Sequence, residues 1–80
     1  MRYFFNLAGA VYDPDNQGHE LADLSAARYL SVELAADMLR ERPQLAWTGE
    51  EFRVEVTNAD RLLLFTVIMI GVDAPVSQGR

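Results

Sequence analysis

Leu62-Leu63-Leu64-Phe65-Thr66-Val67-Ile68-Met69-Ile70-Gly71-Val72 is the stretch on which the fold turns. Its 11 residues fall well short of the ~20 that a helix needs to cross a bilayer. Read as a strand, it is apolar on both faces, whereas a strand with one wet face alternates apolar and polar residues. Such a strand needs cover on its second face or along its edge.

The segment before it supplies the contrast. Glu50–Thr57 alternates, with Phe52, Val54 and Val56 on one face and Glu51, Arg53, Glu55 and Thr57 on the other, as a half-buried strand should. Asn58-Ala59-Asp60 reads as a tight turn joining the two strands. With two turn residues, Leu63, Phe65 and Val67 lie inward beside Val56, Val54 and Phe52. Leu62, Leu64, Ile68 and Ile70 then lie outward around Thr66. A three-residue turn exchanges the two sets, because side chains alternate faces at every residue.

Further back, Asp23 is placed to cap a helix from Leu24 to about Glu41. At 100° per residue, Leu24, Ala27, Leu34, Ala35, Met38 and Leu39 share one stripe with Ser31 inside it, so the helix is amphipathic. Arg40 and Arg42 suit its C-terminal dipole, and Pro43 stops it. Arg2–Ala8 is rich in strand formers, with Tyr3, Phe5 and Leu7 on one face. Ala10–Asp13 reads as a return strand after Gly9, with His19–Leu21 as its extension. Asp13-Pro14-Asp15-Asn16-Gln17-Gly18 is turn chemistry, and Trp47 in the connector is expected to pack over the open end of the core.

The element order is β-β-α-β-β. It predicts an α+β fold, a four-stranded antiparallel sheet of order 2-1-3-4 with one amphipathic helix on one face. The last strand is then an edge, and a long apolar edge is a template for another chain unless charge or proline blunts it. A single domain over residues 1–72 is expected, with a flexible tail over 73–80.

Composition narrows the function classes. A chain of 80 residues buries only about 60–65% of its unfolded surface, so a second subunit would help its core. There is no Cys, hence no disulfide framework, thiol nucleophile or thiolate metal site. No basic start followed by an apolar stretch is present, so no signal peptide is expected. Net charge is −5, and the basic residues, all Arg, are scattered among 12 carboxylates. That pattern argues against nucleic acid as a partner.

Arg2-Tyr3-Phe4-Phe5, the Glu20-Leu21 and Asp23-Leu24-Ser25-Ala26-Ala27-Arg28 segments, the Ala-rich Glu33-Leu34-Ala35-Ala36 and the strand Phe52–Thr57 together form a pattern. It resembles a family of short uncharacterised alphaproteobacterial proteins that begin with an Arg-Tyr-Phe-Phe strand, a domain of unknown function. The resemblance covers nearly the whole chain and implies a cytosolic bacterial protein, with no activity and no catalytic residues attached. The chain departs from that pattern at Asn58-Ala59-Asp60, where the family turn is Asp/Gly-rich. A weaker similarity, Gly18 to Asp23-Leu24 and Ala27, is to antitoxin halves of toxin–antitoxin pairs.

Candidate chemistry is sparse. Asp13–Gly18 resembles the first half of a calcium loop, yet Gln17 replaces a ligand and the closing glutamate position is Leu24. His19 has Glu20 beside it but no nucleophile or second fixed carboxylate. Asp13, Asp15, Glu20 and Asp23 are explained by turn formation and helix capping. No catalytic, cofactor or metal residue is therefore assigned. The expected function is that of a non-enzymatic, cytoplasmic homodimeric interaction or regulatory module, with an interface of Leu62, Leu64, Phe65, Ile68 and Ile70. An antitoxin-like regulator with a toxin or nucleic-acid partner is one alternative. The other is a small-molecule or metal binder using a dimer cleft near His19. The partner, the pathway, the strand register and the mode of pairing, edge to edge or face to face, are left open by the sequence.

Overall fold

A computed structural model describes residues 1–77. Strands β1 (Arg2–Gly9), β2 (His19–Glu20), β3 (Phe52–Thr57) and β4 (Leu63–Met69) form one antiparallel sheet of order β2-β1-β3-β4. Helix α1 (Leu24–Glu41) joins the two halves. The α+β fold, the β-β-α-β-β order and the sheet order are those the sequence predicts. One turn of 3₁₀ helix (Pro43–Trp47) follows α1, and another (Pro75–Ser77) lies within the segment expected to be a tail. Residues 78–80 of that expected tail lie outside the described residues.

The ends of α1 follow from local chemistry. The Asp23 carboxylate accepts from the Ala26 N–H at 2.9 Å, and the Arg42 N–H closes the last turn on the Met38 carbonyl. The buried line of the helix is made of small residues, Ala27, Ser31 and Ala35, all at 0% exposure. Leu30, Leu34, Met38 and Leu39 straddle it, half-buried against the core. Ser31 needs no partner from the sheet, because its hydroxyl donates to the Arg28 carbonyl at 2.6 Å within its own helix.

Beneath the helix, Phe52, Val54 and Val56 are each 0% exposed, and Tyr3 and Phe5 of β1 are buried beside them. Pairing is Phe5↔Val56 and Leu7↔Val54 on one side of β3, and Val56↔Phe65, Val54↔Val67 and Phe52↔Met69 on the other. Gly9 ends β1 at φ +78°, where a Cβ would meet the Glu51 carbonyl oxygen. Only glycine fits both constraints.

Several local expectations need correction. Ala10–Asp13 is not a strand. It makes a single bridge, Asp13 to Leu7, and β2 lies at His19–Glu20 instead. The β3–β4 connection is not a two-residue turn. The Asn58 side chain accepts from the Asp60 and Leu62 N–H groups, Arg61 sits at φ 66°, and the register shifts at Val56/Thr57. The longer loop and the bulge each move the pairing by one residue relative to a two-residue turn, so Met69 joins Phe65 and Val67 on the helix side while Leu63 pairs with Thr57. Leu64, expected outward, packs against the core instead. In the connector, Leu45 enters the core at 4% exposure, and Trp47 stays 60% exposed. The Trp47 ring lies so close to Gly71 that a Cβ there would fall 2.6 Å from it.

Replacing Ser31 with Ala should change stability by less than about 1 kcal/mol, since a local hydrogen bond is exchanged for helix propensity. Replacing it with Leu should cost about 1–3 kcal/mol through overpacking against the sheet. Urea unfolding of the two variants checks both. Equal stabilities would show that the seam tolerates bulk.

Candidate functional site

The sheet has two edges, and they are finished differently. On the β2 side only Arg2↔Glu20 and Tyr3↔His19 are paired. The rest of the β1 edge is closed by the loop before β2. Asp15 puts one carboxylate oxygen on the Phe5 N–H at 3.0 Å and the other on the Gln17 and Gly18 N–H groups, each at 3.0 Å. Leu7 and Asp13 exchange two backbone hydrogen bonds at 3.0 Å. The Asn6 side chain accepts from the Asp15 N–H at 2.9 Å, and the Arg2 guanidinium donates to the Gln17 carbonyl at 2.6 Å. A folded loop thus replaces a strand along this edge.

These bonds also set Asp15's ionisation. Partial burial pushes its carboxyl pKa up, but the Gly18, Phe5 and Gln17 N–H groups together with nearby His19 outweigh that and hold it below its ordinary 3.8.

The opposite edge is β4. The direction of its backbone groups follows from the hydrogen bonds already described. Phe5 and Leu7 direct their N–H groups to the loop, so by antiparallel alternation Phe4, Asn6 and Ala8 bond to Thr57, Glu55 and Arg53. Phe52, Val54 and Val56 then turn to β4 and bond to Met69, Val67 and Phe65. Thr66 and Ile68 are left with N–H and C=O groups directed outward. Among the described residues, β4 has no neighbour on that side.

The edge is apolar as well as unpaired. Leu62 is 61% exposed, Ile68 57% and Ile70 51%, with Leu63 similar. Phe65 and Leu64 are half-buried and touch the core, so they reach the edge with only part of their surface. Of the five residues expected at an interface, the structure places Leu62, Ile68 and Ile70 in the open and holds Leu64 and Phe65 partly inward. Leu63 and Trp47 are further exposed apolar residues that the sequence reading did not assign to this surface. The Gly71 N–H bond to the Ala46 carbonyl, at 2.7 Å, fixes the Trp47 turn against the end of β4.

The outer face of the sheet beside this edge is charged. Arg53 bridges Glu51 at 2.9 Å and Glu55 at 3.0 Å, two residues away on either side along the strand. Hydrogen bonding first to Glu51 and then to Glu55 raises the guanidinium pKa, and Glu51 is lowered by its own backbone N–H and by Arg53. Across the strands Ile68 lies beside Arg53 and Thr66 beside Glu55.

One concavity accompanies the loop-closed edge. It is an open cleft of about 460 Å³ lined by the apolar Phe5, Leu7, Leu34 and Met38 and by polar loop residues that include Asp15, Gln17 and His19. The His19 ring stands edge-on to Phe5, with centroids 5.3 Å apart. The four carboxylates of this region do separate work. Asp15 holds the loop, Asp23 caps α1, and Glu20 meets Arg2 and the terminal ammonium, while Asp13 contributes its backbone. Among the described residues no three His, Asp or Glu side chains converge to hold a metal ion, and no helix is long and apolar enough to cross a membrane.

The chain belongs to the family described as a domain of unknown function (DUF6894), whose model matches residues 2–70. The match runs from the first residue of β1 to just past β4, so the loop-closed edge and the open edge both lie inside it. No curated protein and no solved structure matches the chain.

Replacing Asp15 with Ala should cost about 1–2 kcal/mol, the low end for charge-assisted hydrogen bonds because water reaches the loop. Asp15's folded-state pKa is depressed, so its stabilisation is present above 3.8 and is lost as pH falls through the lowered value. Stability of the native chain and of Asp15→Asn, measured between pH 7 and pH 2, should therefore converge at the acid end. A constant difference across that range would mean the carboxylate charge does not hold the loop.

Proposed function

We propose that the protein is a non-enzymatic homodimeric module of the bacterial cytosol, assembled by pairing of β4 with β4 of a second copy, and that it acts through protein interaction or regulation. One observation carries this reading: among the described residues, the sheet has a single unguarded edge. β4 has no Lys or Pro, and its nearest charges are Arg61 before it and Asp73 after it. Such an edge favours added strands.

The closed edge supports a dimer over a fibre. A second copy also has its β1 side occupied by Asp13–His19, so the backbone groups it offers are those of its own β4. Pairing like with like gives an isologous, closed twofold contact, whereas an open edge on each side would allow head-to-tail growth. Ile68 and Ile70 are each about half exposed. Covering them recovers about half of the roughly 1.5–3 kcal/mol that fully burying such a side chain is worth.

Charge supports a protein partner over nucleic acid. The net charge is −5, and Arg2, Arg40 and Arg53 are each paired with carboxylates, which reduces the cationic surface offered to phosphates. The opening strand's resemblance to alphaproteobacterial proteins supports the bacterial origin, and the absence of Cys fits a reducing compartment.

Light scattering after size exclusion should give twice the chain's 9.0 kDa, and Ile68→Lys should give a monomer with unchanged far-ultraviolet circular dichroism. A native monomer at all concentrations would sink the reading, and a dimer unaffected by Ile68→Lys would move the interface away from β4.

A further inference from the structure

We infer that the β4 pairing has one register, with the twofold axis at Val67. This inference rests on the proposed β4 dimer and adds to it which residues meet. In such a pair Val67 faces Val67 of the second copy, Thr66 faces Ile68, and Phe65 faces Met69.

The argument begins with the outward backbone groups. Antiparallel partners that exchange hydrogen bonds must both direct N–H and C=O across the interface. On β4 those residues are Thr66 and Ile68, as the alternation from Phe5 and Leu7 through β3 requires. The bulge shifts the ladder between Phe65 and Leu63, so Leu64 is off the regular spacing. Ile70 lies beyond the end of β4 at Met69.

An axis at Val67 joins Thr66 to the second copy's Ile68 and Ile68 to its Thr66. Each pair exchanges two bonds, all from the regular part of the strand. An axis at Thr66 keeps only the Thr66 pair and must draw on Leu64 for the next one. An axis at Ile68 keeps only the Ile68 pair and must draw on Ile70. The axis at Val67 is therefore the one that satisfies the outward groups within β4 itself.

The side chains agree with this choice. On the helix side Phe52, Val54 and Val56 of β3 are fully buried, while their β4 neighbours Met69, Val67 and Phe65 are only partly buried. In the Val67 register that row meets its own reverse. Two Val side chains meet in a closely spaced pair, and each Phe65 ring lies beside a Met69 thioether, a favourable contact. On the outer face, Ile68 gains a β-branched neighbour in Thr66.

Single-cysteine variants test the register, since the native chain has no Cys. Opposed residues in a pair without mutual hydrogen bonds have Cα atoms about 4.5 Å apart, within disulfide range. Under mild oxidation V67C should give a disulfide-linked dimer on non-reducing gels. T66C and I68C should each link poorly alone, and their equimolar mixture should yield a linked species that neither makes by itself. The mixture also keeps the test valid if V67C folds badly, because Thr66 and Ile68 lie outside the helix-side core. Efficient self-linking of T66C or of I68C would put that residue on the axis and overturn the register while leaving β4 pairing intact. A dimer by light scattering in which none of these cysteines links would overturn both the register and the β4 interface. A monomer would overturn the parent reading.

Discussion

One helix must cover a four-stranded sheet, and it is not wide enough to do so. A helix with side chains is about 10–12 Å across, while neighbouring strands lie about 4.7–4.9 Å apart, so a single helix shields roughly two strands. Here β3 receives the fullest cover, with its inward residues fully buried, and Tyr3 and Phe5 of β1 are buried beside it. The flanking strands receive what is left. β2 is only two exposed residues long, and β4 has its inward row half covered. The rest of the molecule can be understood as a response to that shortfall.

The helix makes the most of its limited width by approaching closely. Ala27, Ser31 and Ala35 form its contact line, and the larger Leu30, Leu34, Met38 and Leu39 reach down on either side. Small residues at the seam let the larger side chains beside it cover more of the sheet. Leu45, carried in by the 3₁₀ turn after Pro43, adds apolar cover beyond the helix end. Trp47 does not share that task, because its ring is seated over Gly71.

The two sheet edges show two solutions to the same backbone requirement, that polar groups near apolar surroundings find partners. At β1 the solution is internal. A carboxylate, a bridge at Leu7 and a two-residue strand occupy the edge and leave an open cleft of mixed polar and apolar lining beside the loop. At β4 the chain offers an apolar strand whose outer edge, with groups from Thr66 and Ile68, has no neighbour among the described residues.

Much of this architecture is legible in the sequence because it rests on short-range rules. Asp23 and Pro43 bound α1, the period of 3.6 residues places its buried line, and the alternation of Phe52 to Thr57 marks a strand with one wet face. The unrelieved apolar run after Arg61 marks β4 as a strand in need of cover, and the element order was enough to place it at the edge. What only the tertiary structure decided are the places where backbone groups choose among partners far apart in the chain. Asp15 reaches back to Phe5 and so takes a place that Ala10–Asp13 was expected to hold. The Asn58 side chain opens a longer loop that moves the β4 pairing by one residue, and the bulge moves it by one more from Phe65 onward. Leu45 or Trp47 could each have filled the core, and the bare backbone at Gly71 settled where the larger ring would lie. Periodicity encodes which face a residue prefers. It does not encode register or edge closure, because those depend on hydrogen bonds available to nearly any residue.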